Sequence, residues 1–166
     1  MLIKLIFSLA ALSLVTGCGF KPIYGSAGES NISVELATIQ VALIKDRIGQ
    51  QLHNLLLDQL NPGGAPKKPS YRLSVQVSES KHELAIKKSE ISTRANLRFT
   101  ARFQLQGLKQ FAARAFSGRV SIVTSYNILS SDFGTLSAEK NARQRATLVL
   151  ASDITNRIAA YLQTLK

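Results

Sequence analysis

Residue types able to do chemistry are few in this chain of 166 residues, which has one Cys, two His and no Trp. Ser137-Ala138-Glu139-Lys140 has the spacing of a serine nucleophile with a lysine base, but the companion S-D-N and K-T-G triplets are absent. A helix cap at Ser137, with Glu139 in the first turn where the dipole favours an anion, is the better reading. His82-Glu83 opens like a zinc-protease HExxH helix, and Ile86 occupies the place of the second ligand. His53 and His82 have no nearby Cys or His in sequence. A closed Cys/His zinc site and a disulfide framework are both excluded by count. There is no P-loop, no G-x-S-x-G and no G-x-G-x-x-G. The expectation is therefore a binding or assembly protein and not an enzyme, with no cofactor and no metal.

Cys18 has a defined chemical context. Met1-Leu2-Ile3-Lys4 is a short charged start, and Leu5–Val15 is an apolar run broken only by Ser8 and Ser13. That run is shorter than the roughly 20 apolar residues of a spanning helix, so residues 1–17 read as a signal peptide. Val15-Thr16-Gly17-Cys18 resembles a lipobox, the processing signal of bacterial lipoproteins. The resemblance implies acylation of Cys18, cleavage before it, and a stable membrane anchor, since each buried CH₂ contributes about 0.8 kcal/mol. Gly19, where Asp would signal inner-membrane retention, implies outer-membrane delivery.

Basic charge is the remaining chemical signal. The chain carries a net charge of +11, from 21 Lys and Arg against 10 Asp and Glu. Between residues 81 and 119 there are nine cations against Glu83 and Glu90 alone. Such a patch prompts a nucleic-acid hypothesis. A secreted, lipid-anchored chain rarely meets nucleic acid, and no aromatic ladder lies among these cations. Phosphates of an envelope glycolipid suit the two-pronged guanidinium better. Candidate contacts are Lys87, Lys88, Arg94, Arg98 and Arg102. The charge would equally serve solubility or a protein partner.

The elements that must position these residues follow from periodicity. Residues 18–31 are rich in Gly and Ser and read as a tether, leaving 32–166 as a single domain. Ile32, Val34 and Leu36 alternate with polar residues, which predicts a first strand. Ile44, Ile48, Leu52, Leu55, Leu56 and Leu60 share one helical face over 43–60, and Asn61-Pro62-Gly63-Gly64 stops it. Alternation predicts a second strand over 71–78. Residues 79–93 read as the tip of a long hairpin. The third and clearest strand has Ala95, Leu97, Phe99, Ala101, Phe103 and Leu105 on one side. Gly107–Ala112 reads as a turn, and a fourth strand runs from Phe116 to about Tyr126. A final helix from Ser137 carries Ala142, Ala146, Val149, Leu150, Ile154, Ile158, Tyr161, Leu162 and Leu165. The order β-α-β-β-β-α predicts an α+β fold, with two helices packed on one face of a four-stranded mixed sheet. The other face would carry Arg72, Arg98, Arg102 and Arg119 among Ser, Thr and Gln.

These residues resemble a known family, the lipopolysaccharide-assembly lipoproteins LptE in their alphaproteobacterial form. The cues are Cys18–Gly25 (CGFKPIYG), Ser125-Tyr126-Asn127, and Leu136–Ala146 (LSAEKNARQRA). Lys140 and Asn141 stand where more acidic character is expected. The resemblance implies two helices against a four-stranded sheet. It also implies a plug seated in the outer-membrane β-barrel LptD, assisting its assembly and the passage of lipopolysaccharide to the outer leaflet. The chain would sit at the periplasmic face of the outer membrane, anchored through Cys18, with lipopolysaccharide as a second partner. Large barrels have polar interiors that a compact polar domain can fill. Two other readings stay open at this stage. One is a free-standing envelope lipoprotein that binds anionic glycolipid or peptidoglycan without a barrel. The other is an envelope hydrolase using Ser137 or His82.

Overall fold

The computed structural model describes residues 29–84 and 94–165. Helix α1 (Glu29–Leu36) leads into the short strand β1 (Ile39–Val41), helix α2 (Asp46–Leu60), and two long strands, β2 (Tyr71–Leu84) and β3 (Arg94–Gly107). A 3₁₀ turn at Lys109–Phe111 then feeds β4 (Ala115–Asn127), and helix α3 (Asp132–Gln163) closes the chain. The sheet order is β1-β2-β3-β4, with β1 parallel to β2 and the other pairs antiparallel. Among the described residues the fold is therefore α+β around a four-stranded mixed sheet, with three helices where the periodicity predicts two.

The additional helix corrects the first predicted strand. Ile32 and Leu36 are buried, whereas Val34 between them is 64% exposed. The apolar period there is four, not two, and three alternating residues cannot distinguish them until burial does. The first strand lies just beyond, at Ile39–Val41, where Ile39 and Val41 point inward. α1 also begins inside the predicted tether. Helix α2 starts three residues later than its apolar pattern suggests, because Leu43 is 88% exposed in the preceding loop. Its buried stripe of Gly49, Leu52, Leu56 and Leu60 has the expected face. Asn61 ends it, with its backbone N–H bonded to the Leu57 carbonyl and its side-chain amide donating to the Ala37 carbonyl.

β3 is the spine of the core. Ala95, Leu97, Phe99, Ala101, Phe103 and Leu105 are all buried, as their alternation predicts. Full burial of each larger side chain contributes roughly 1.5–3 kcal/mol. β2 pairs with β3 along its whole length, so the strands of the hairpin extend to Leu84 and Arg94 and take up part of the predicted tip. At the other end of β3 the chain turns tightly enough to require glycine. A Cβ on Gly107 would lie 1.8 Å from the Phe111 carbonyl oxygen.

α3 begins six residues earlier than predicted. Ser131 is the N-cap, its hydroxyl accepting from the Gly134 N–H, and Asp132 supplies the first-turn acid. Ser137 instead lies exposed within the helix. At about 1.5 Å per residue, α3 spans roughly 48 Å and packs on β4, β3 and the helix α2. Ala142, Ala146, Leu150, Ile154, Ile158 and Leu162 form its buried stripe, while Val149 faces outward at 47% exposure. No helix among the described residues is long and apolar enough to cross a membrane.

Candidate anion-binding sheet face

The helices cover one face of the sheet and leave the other open. Strand alternation directs Arg72, Ser74, Gln76, Ser78, Ser80 and His82 of β2 to the open side. It directs Arg94, Arg98, Arg102 and Gln104 of β3, and Ser117, Arg119, Ser121 and Ser125 of β4, the same way. Among the described residues the strand positions of this face carry no carboxylate; Asp46, at the start of α2, borders Ser74 and Gln76 at the β2 edge. The acidic residues of β2, Glu79 and Glu83, have the opposite parity and lie on the helix side with Lys81.

The register then sets the charge geometry. Arg102 stands directly opposite Arg119 on one side and Gln76 on the other. Like charges placed so are mutually destabilising in an isolated protein and favourable around a shared anion. None of Arg72, Arg98, Arg102 and Arg119 enters an ion pair among the described residues. Ser74, Gln76, Arg102, Gln104, Ser117 and Arg119 border a shallow depression of about 410 Å³. Its floor is thinned by Gly118, where a Cβ would sit 2.6 Å from the Phe103 ring on the core side. A phosphate over this depression meets two guanidinium groups and a rim of hydroxyls and amides.

Arg94, Arg98 and Arg102 are the sequence candidates that the structure brings together. They recur every four residues on β3, so successive members are about 13 Å apart along the strand. Their stripe runs from the depression toward the β2–β3 tip. Lys87, Lys88 and Cys18 lie outside the described residues. His82 sits on the open face opposite Asn96, and His53 Nδ1 is 3.2 Å from the Ala42 carbonyl oxygen.

A second polar cluster lies on the helix side and positions α3. Arg143 reaches Glu79 through Nε and Nη2, at 3.1 and 2.9 Å from Oε1, and also binds Glu139 one turn earlier. The Tyr126 hydroxyl donates to Glu139 Oε2 at 2.9 Å, and Lys81 Nζ approaches the same oxygen at 3.6 Å. Burial alone would raise the pKa of Glu139. The Tyr126 hydroxyl, Arg143 and Lys81 outweigh it and hold the carboxyl below its usual range. Tyr126, Glu139 and Arg143 come from two of the sequence segments that carry the family resemblance. They meet as a clamp between β4 and α3, with Glu79 of β2 as the member that sequence reading missed. Only the odd parity of Glu79, against its polar neighbours on the open face, could have marked it.

The family model for lipopolysaccharide-assembly proteins, LptE, matches residues 36–158. Among solved structures, a putative lipoprotein from Caulobacter crescentus superposes with a TM-score of 0.64 at 21% identity, over 81% of this chain and 97% of that one. The rare lipoprotein B of Shewanella oneidensis gives a TM-score of 0.59 at 10% identity, over 76% of this chain and 97% of its own. A minor lipoprotein from Acinetobacter baumannii gives 0.51 at 17% identity, over 74% and 92%. At these identities the likeness is one of fold. No curated protein matches the sequence significantly.

Proposed function

The chain belongs to the LptE lipopolysaccharide-assembly family, and on that premise we propose that it is the lipoprotein plug of an LptD-like outer-membrane barrel. The family is one of non-enzymatic assembly lipoproteins of the outer membrane. In this reading Cys18 is acylated and holds the domain at the periplasmic face. Confinement there raises the concentration of the plug near its barrel. The open sheet face then presents cations to the phosphates of lipopolysaccharide in transit.

The observation that carries this reading is that Arg102 opposes Arg119 on a face whose strand positions hold no carboxylate. A solubilising surface has no need to concentrate one sign of charge, and mixed signs serve it better. A polar, cationic wall suits both a water-filled lumen and a phosphorylated cargo. Arg98 and Arg94 extend the contact along β3 toward the β2–β3 tip, and Lys87 and Lys88 stay candidates from the sequence alone.

The test is recovery of the tagged full-length protein from detergent-solubilised outer membranes. A large β-barrel in near-stoichiometric amount is the expected companion. Recovery of the protein alone, under conditions that keep other barrel complexes intact, contradicts the plug assignment.

A further inference from the structure

β4 is an edge strand, and its free side has a chemical direction that the hydrogen bonds reveal. The Thr100 carbonyl accepts from Ser78 of β2, and the Leu108 N–H donates to the Ser70 carbonyl. Even-numbered residues of β3 therefore turn their backbone groups toward β2. The Phe99 carbonyl accepts from Ser121, and the Gly107 N–H donates to the Arg114 carbonyl, so odd-numbered residues turn toward β4. With Ile122 opposite Phe99 and Ser121 opposite Thr100, the even residues of β4 bond to β3. In an antiparallel ladder the alternate residues face the other way. The N–H and C=O groups of Ser117, Arg119, Ser121, Val123 and Ser125 thus point out of the sheet edge, where no strand pairs with them among the described residues.

Natural edges are blunted by Pro, by charge, by brevity or by a cover. The far edge of β2 follows this rule, with Glu79, Lys81 and Glu83 along its unpaired stretch. β4 does not: it has 13 residues, no Pro, and Arg119 as its one charge. Val123 is 47% exposed on it. Among the described residues only its start is closed, where the Tyr161 hydroxyl reaches the Ala115 carbonyl.

We propose that β4 pairs antiparallel with β4 of a second copy of this chain, about a two-fold axis at Ser121. This register is self-complementary. Arg119 meets Val123 and not another arginine, Ser117 meets Ser125, and on the core side Val120 meets Ile122. Every outward backbone group from Ser117 to Ser125 finds a partner. The helices of both copies stay on one side, and the two cationic faces join on the other. This pairing concerns the protein before it meets a barrel, so it stands or falls separately from the plug assignment.

Sedimentation of the full-length protein in detergent tests it, together with a Ser121→Cys variant under mild oxidation. Paired residues of this kind have Cα atoms about 5.5 Å apart, within disulfide reach. A concentration-dependent dimer is expected, and in the variant a disulfide joining position 121 of the two copies, identified by mass spectrometry. The parent chain should give no such link. Val123→Pro removes an N–H that faces only the edge and should reduce the dimer at least tenfold. Val123→Ala keeps that N–H and should dimerise like the parent. A monomer at every concentration, with no disulfide between the two copies in the Ser121→Cys variant, overturns the proposal. So does a Val123→Pro variant that melts like the parent and still dimerises.

Discussion

Protonating Glu139 removes a charged acceptor shared by Tyr126, Arg143 and Lys81. Its pKa is lowered in the folded protein from the ordinary 4.5. The unfolded chain therefore binds a proton at higher pH than the folded one. The stabilisation is complete above about pH 4.5 to 5 and is lost as pH falls through the depressed folded value. Glu139→Gln should cost about 1–3 kcal/mol at neutral pH, because it leaves Arg143 and Glu79 without their third member. Thermal melts against pH check this: the gap between wild type and variant should close in acid. On the open face the logic is reversed, since opposed arginines contribute nothing favourable without an anion. Arg119→Ser is expected to leave stability unchanged or slightly raised, measured by the same melts, while weakening the binding of phosphorylated glycolipid.

At the scale of elements, α1 is the sharpest contrast between pattern and structure. Ile32, Val34 and Leu36 satisfy a strand period, and Ile32 and Leu36 equally satisfy a helical one. Leu36→Ala should cost about 2–5 kcal/mol and Val34→Ala very little, as denaturant unfolding would show. A strand facing the core with all three residues would make both costly. Gly107→Ala forces a methyl onto the Phe111 carbonyl, and should cost about 2 kcal/mol or more in the same measurement. β3 was readable because its alternation runs without a break from Ala95 to Leu105. The start of α3 was not, because Phe133 and Leu136 lie exposed before the buried stripe begins at Ala142. Cap chemistry at Ser131 decides that boundary, and a second plausible cap at Ser137 obscured it.

Across the whole molecule, parity in the sequence places the arginines on one face, but the register that opposes Arg102 to Arg119 depends on which residues pair between distant strands. That is set by the hairpin and by the Gly107 turn, and it leaves no local trace. The same holds for Glu79, which finds Arg143 only once α3 has packed on the sheet. What results is a domain with a packed helical side, a clamp that fixes the last helix, and a bare cationic sheet. The proposed function requires that this sheet read phosphate. The most direct measurement compares binding of lipopolysaccharide with binding of its dephosphorylated form, for the wild type and for the Arg102→Glu/Arg119→Glu double variant. The wild type should prefer the phosphorylated form at least tenfold, with the preference falling as salt rises. The double variant should lose that preference while melting like the wild type. Equal binding of both lipids by the wild type, or an undiminished preference in the folded variant, would contradict the account.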